Sequence, residues 1–316
     1  MLSFFGLLFI VSCKNQTEVE NAIADINIDV SVERFDQFFG NAQSSDLPRL
    51  KQAYPFLFPE KYNDAFWIAK LEDSLQKELI RETGKVYQNF DAIEQEIEGL
   101  FNHLKYYFTE FNPPRVITTT SSVDYRNKVI VTDTIAIIAI DNYLGNDHYF
   151  YEGIQKFIRS NFEKEQIVVD LAAKYAEHYI YQPQRKTLLD NMIYFGKQLY
   201  FKDVMLPSTT QAQRIGYTSN QLDWVTANEA YIWRYFIERE LLFDTDRKLL
   251  GRFINPAPFS KFYLEQIDTK SPGRVGQYIG WQIVSAYMKN NEVSLKEMLR
   301  TKPEDIFNKS KFKPRK

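Results

Sequence analysis

The side chains best placed to do chemistry are two pairs of acid–base residues. Glu177 and His178 are adjacent, and Glu229 and Glu240 lie on either side of an aromatic-rich stretch. A carboxylate set among apolar residues is paired, or is shifted in pKa toward the neutral acid, which is the state that lets it move a proton. Zinc hydrolysis needs two His one helical turn apart with a Glu between them. The chain has three His, at 103, 148 and 178, and no such motif. It also has no GxSxG elbow and no phosphate-cradling glycine loop, and its one Cys is Cys13. The residues alone therefore name no reaction, no metal and no cofactor.

The element that must position Glu229 and Glu240 is a helix over 228–243. Ile232, Trp233, Phe236, Ile237, Leu241 and Phe243 form one apolar arc, with both Glu in it. The expectation is a structural pairing of each Glu with Arg252, Arg274 or a Tyr hydroxyl, because buried charges are normally paired. Arg252 and Arg274 bound a Pro- and aromatic-rich, stiff loop. The next helix, 275–288, places Gly276 and Gly280 one turn apart, which predicts close approach by another backbone.

Glu177 and His178 fall on a largely buried helix over 166–180, followed by a helix capped by Thr187 and Asp190. Upstream, Ile26, Ile28, Val30 and Val32 alternate with polar residues as in a strand, and 115–121, 128–133 and 134–141 read as three more strands. Helical stripes cover 64–83 and 91–108, the second with a capping-box start at Asp91 and Glu94 and with His103 toward its exposed side. The crowded loop from Asp141 to His148 reads as a strand-exit turn. Strand patterns end near residue 140, so the expected fold is α+β, mostly helical with a small mixed β-sheet.

With 44% hydrophobic and 16% aromatic residues, the chain can bury a large core. Its formal net charge of -2 gives no electrostatic footprint for nucleic acid. The basic tail, 307–316, reads as a solvated end. Residues 2–11 form an apolar run too short to span a bilayer. Ile10, Val11 and Ser12 before Cys13 look like a lipobox, the signal for cleavage ahead of a Cys that is then acylated. The organisation expected is a signal peptide at 1–12, a lipid-anchored tether at 13–25 and one α+β domain at 26–316. Membrane attachment would be through Cys13.

Several blocks in one order carry a resemblance across nearly the whole chain: IDVSVERFD, HLKYYF, DNYLGNDHYFYEGI, ANEAYIWRYFIERELL, RFINPAPFSKFYLEQ and SPGRVGQYIGWQIVSAYM. With these the sequence resembles the GldB family of gliding-motility lipoproteins of Bacteroidota. The resemblance implies a cell-membrane lipoprotein facing the periplasm, working with other gliding or type IX secretion proteins. Residues 115–288 also resemble, more faintly, zinc peptidases of the HExxH type. Tyr175 stands where that motif has its Glu, no His precedes it, and Phe195 stands where a ligand Glu would precede Gly196. This implies a degenerate zincin-like scaffold without metal, and so no enzyme. Two alternatives stay open: an envelope hydrolase using Glu177, His178, Glu229 and Glu240, and a binder of a small ligand or peptide in a cleft between the sheet and the Gly276 helix.

Overall fold

A computed structural model describes residues 18–315; the expected signal peptide and Cys13 lie outside them. The sheet has four strands: β1 (Val32–Glu33), β2 (Arg115–Thr119), β3 (Val129–Val131) and β4 (Ile135–Ala139). Their order is β1-β2-β4-β3, with β1–β2 and β2–β4 parallel and β3–β4 antiparallel. The register pairs Val116 with Ala136 and Ile117 with Ile137. Val116, Ala136 and Ile138 face the main core, while Ile117 faces a smaller aromatic cluster of Phe35, Phe39, Tyr54, Phe58 and Trp67. The Pro-punctuated stretch after residue 44 supplies part of that cluster.

The expected strand over 26–32 pairs with the sheet only at Val32 and Glu33. The residues before them run extended along helix α3 (Asp91–Tyr107) instead. There the amides of Ile28, Val30 and Val32 donate to Asn102 Oδ1, Glu98 Oε1 and Glu94 Oε1 at 3.2, 3.3 and 2.7 Å. Two extended residues advance roughly 6.6 Å and one helical turn of four roughly 6 Å, so alternate amides meet successive turns of one helix face. Glu94 is thereby used across elements rather than in a capping box. His103 is buried rather than exposed, with Nδ1 2.7 Å from the Gly99 carbonyl. The buried stripe of α3, Ile93, Ile97, Leu100, Phe101 and Leu104, is as the sequence predicts.

The stripe over 64–83 forms two helices, α1 (Asp64–Glu72) and α2 (Ser74–Val86), because Asp73 leaves the helix to cap the second through the Gln76 amide. Helices α4 (Ile167–Tyr179) and α5 (Leu188–Met205) follow, the latter with the predicted Thr187–Asp190 capping box. Helix α6 (Ser219–Ala227) precedes α7 (Glu229–Glu238), and α8 (Val275–Asn290) and α9 (Pro303–Ser310) close the chain. Helix α7 stops short of the expected 243. Glu240 takes a left-handed backbone (φ 56°), which leaves Ile237 and Phe243 exposed while Leu241 and Leu242 turn back into the core.

Helices α5 and α8 are in backbone contact. A Cβ on Gly280 would lie 1.8 Å from the Met192 carbonyl oxygen, and one on Gly196 2.3 Å from that of Gly280. A Cβ on Gly276 would reach the Phe253 carbonyl at 2.9 Å. This is the close approach that the glycine spacing predicts. The basic tail also folds back rather than trailing in solvent: Phe312 packs edge-on against Trp233 at 5.2 Å.

Candidate functional site

The four acid–base candidates are not brought together. Glu177 and His178 are exposed near the C-terminal end of α4, where Glu177 pairs with Lys174 at 3.0 Å. His178 borders a broad depression with Glu110, Tyr181 and Arg300. Glu240, expected on the apolar arc, is exposed beyond the end of α7 and has no ionic partner among the described residues.

Glu229 is buried as expected, at 1% exposure, and of the expected partners it takes a Tyr hydroxyl rather than Arg252 or Arg274. The Tyr278 hydroxyl donates to Oε2 at 2.9 Å, the backbone amide of Arg315 donates to Oε1 at 2.9 Å, and the Arg315 guanidinium lies 3.8 Å away. Burial pushes the Tyr278 phenol up to about 12, so it stays a donor. Arg252 instead ties the loop together, donating to the Lys261 carbonyl and the Tyr235 hydroxyl between the Phe253 and Tyr263 rings. Glu229 and Arg252 therefore hold the fold in place.

Arg274 has a different setting. Its own backbone is left-handed (φ 65°), which turns the chain into α8 and aims its side chain at a cavity of about 360 Å³. The cavity lies between the chain entering β3, α4, the end of α5 and the start of α8, where a cleft between the sheet and the Gly276 helix was expected. Lys128 contributes from the sheet side, Asp170 from α4 and Lys202 from α5, with Arg214 and Tyr217 from the link that follows. Lys128 pairs with Asp170 at 2.5 Å, and the Tyr143 hydroxyl donates to the same carboxylate. Arg214 pairs with Asp203 at 2.7 Å, and Trp281 Nε1 donates to that carboxylate at 2.6 Å.

Lys202 and Arg274 have no carboxylate partner among the described residues. Lys202 Nζ donates to the Arg214 carbonyl at 3.0 Å and Arg274 to the Gly216 carbonyl at 2.8 Å, with the guanidinium over the Tyr217 ring. Burial pulls the Lys202 ammonium down to about 8; Asp170 opposes that shift, and Arg274 and Lys128 reinforce it. Burial lowers Arg274 as well, against Tyr217 and Asp170. The chain that leads to Tyr125 on the sheet side turns around Asp141, which is wholly buried and accepts the amides of Ser121 and Val123. Those bonds hold Ser122 and Val123 at φ 57° and 60°, a conformation costly for a β-branched residue. Burial raises the Asp141 pKa, and the amides of Val123 and Ser121 counter it. The crowded loop thus works as a turn anchor.

Sequence reasoning found Arg274 and missed Lys128, Asp170, Lys202 and Arg214. One signal was present: Lys197 and Lys202 interrupt a helix that is otherwise apolar on most sides. Among the described residues, no three His, Cys, Asp or Glu side chains are grouped closely enough to hold a metal ion. A family model described as gliding motility protein GldB matches residues 15–314. No curated protein and no solved structure matches the chain.

Proposed function

Because the chain belongs to the family of gliding motility protein GldB, we propose that it is a lipid-anchored envelope component of the gliding apparatus that works by binding partner proteins, not by catalysis. The anchor is Cys13, acylated after cleavage at the Ile10–Ser12 run, with the folded domain facing the periplasm. No helix among the described residues is long and apolar enough to cross a membrane, which is compatible with such an anchor. The partners are other gliding or type IX secretion proteins. The separation of Glu177, His178, Glu229 and Glu240 supports the non-catalytic part.

The observation that carries the partner reading is an apolar groove of about 380 Å³ on the outer side of α7, lined by Tyr231, Tyr235, Phe262, Leu264 and Ile267. Tyr231, Leu264 and Ile267 are 65%, 45% and 41% exposed, and contiguous apolar surface of this kind marks interaction sites. The double variant Tyr231→Ser, Leu264→Ser should keep its fold and cellular level yet fail to restore gliding to a deletion strain. Cys13→Ser should lose acyl labelling and fail in the same assay. Normal gliding by the groove variant removes the partner reading. Stoichiometric zinc in the purified protein, with peptide cleavage lost on chelation, would put a hydrolase in its place.

A further inference from the structure

We propose that the cavity between β3 and the start of α8 binds a phosphate-bearing ligand, its phosphoryl group held between Lys202 and Arg274. The inference is independent of the anchor and partner readings. It starts from charges that the fold leaves without an ion pair of their own among the described residues. Of the cationic side chains lining the cavity, Lys128 is matched by Asp170 and Arg214 by Asp203, and the exposed Arg126 lies over the Tyr125 ring, whereas Lys202 and Arg274 form no ion pair among the described residues; the nearby Asp170 carboxylate is already taken by Lys128 and the Tyr143 hydroxyl. Each gives a hydrogen bond to one backbone carbonyl, although an ammonium has three N–H donors and a guanidinium five. Two partly desolvated like charges on neighbouring elements repel, and a chain normally pairs such groups internally. An entering anion would answer both.

The chemistry of the pair selects the anion. A phosphate monoester carries about -1.5 to -2 at neutral pH and three acceptor oxygens, which suits two unpaired cations better than a single carboxylate charge does. A guanidinium fork takes two phosphate oxygens at once, while an ammonium serves as a point charge. Part of the remaining wall is aromatic, from Tyr125, Phe157, Phe162 and Tyr217, beside the polar Ser160, Asn161, Gln166 and Gln221, and the Tyr217 hydroxyl is already used on the Gly273 carbonyl at 2.5 Å. With about 360 Å³ available, the cavity holds an organic group beyond the phosphate. That phosphate could belong to a lipid headgroup or to a soluble molecule.

Calorimetric titration of the full chain in neutral detergent at pH 7 and low salt tests this with four probes: phenyl phosphate, inorganic phosphate, short-chain phosphatidic acid and benzoate. Phenyl phosphate should bind saturably at one site, and benzoate at least about tenfold more weakly. Lys202→Met and Arg274→Gln should each weaken phenyl phosphate on the order of ten- to a hundredfold, as expected for a lost charged hydrogen bond. Binding of phosphatidic acid well above inorganic phosphate assigns a lipid source, and the reverse a soluble one; both support the site. Mass-spectrometric mapping of lysine acylation gives a readout that needs no variant: phenyl phosphate should protect Lys202 in the wild-type protein. Absence of saturable binding, benzoate binding as tightly as phenyl phosphate, or an unprotected Lys202 at saturating ligand would each overturn the proposal.

Discussion

Helices α5 and α8 meet in two contrasting ways. At Gly196 and Gly280 they touch backbone to backbone, with no room for a methyl group. Six residues farther along α5 and six before Gly280, Lys202 and Arg274 stand at a cavity instead. The same pair of helices is thus sealed at one point and open at the next, and residue size and charge decide which. Glycine permits contact that dispersion and packing reward, whereas two long cations need solvent or an anion between them. Glu229 marks a third case, a buried charge whose partners come wholly from the chain itself.

The sealed point should give the largest effect. Gly280→Ala places a carbon inside the Met192 carbonyl contact, which only a backbone shift can relieve. The expected loss is on the order of 3 kcal/mol, at the upper end for overpacking, measured by urea denaturation. A loss below about 1 kcal/mol would mean that the crossing relaxes freely and that the contrast between the two points is weaker than drawn.

A middle-sized effect separates the two kinds of buried charge. Glu229→Ala leaves the Arg315 amide without an acceptor and the Tyr278 hydroxyl with only Thr226 Oγ1 at 3.3 Å, for a loss of about 1–3 kcal/mol. The figure stays below that for breaking a fully buried ion pair because the Arg315 side chain is 59% exposed and returns to water. Lys202→Met, by contrast, removes a cation with no acid partner and should leave stability unchanged or raise it. Equal losses in the two variants would show that Lys202 is as fully satisfied as Glu229.

The smallest effect is a pH dependence. Folded Lys202 loses its proton near 8, whereas an unfolded lysine keeps it to about 10.4. Across that window the unfolded chain binds more protons, so stability from this group rises with pH, and below pH 8 its cost is present in full. Lys197 contributes in the same direction: burial takes it to about 8 as well, and among the described residues its partners are the Leu299 and Thr301 carbonyls. Asp170, Arg274, Lys128 and Glu177 are the charges that set the Lys202 value around burial. Melting temperatures from pH 7.5 to 10 should therefore climb less in Lys202→Met than in wild type. The same slope in both would show that Lys202 titrates as an ordinary surface lysine.

Much of the architecture was legible because it follows from short-range pattern. The stripe of α3, the Thr187–Asp190 capping box, the α+β class and the close approach at Gly280 all rest on residues within a turn or two of each other. Patterns failed where a residue met a partner far along the chain. The alternation at 26–32 was real, yet its amides went to Glu94, Glu98 and Asn102 on a helix. The apolar arc of α7 promised burial for Glu240, but the left-handed turn that carries Leu241 inward puts Glu240 outside.

The sequence by itself determined the family, the run before Cys13, the elements and which face of most helices is apolar, since each depends on residue order and a fixed period of 3.6 or 2. Only the tertiary structure decided that the tail supplies Arg315 to Glu229 and that Lys128, Lys202 and Arg274 share one cavity. Those residues are 86, 74 and 72 positions apart. At such separations a charge's partner is set by how whole elements dock, and docking is driven by burial of apolar faces that carry no record of where a distant charge will land.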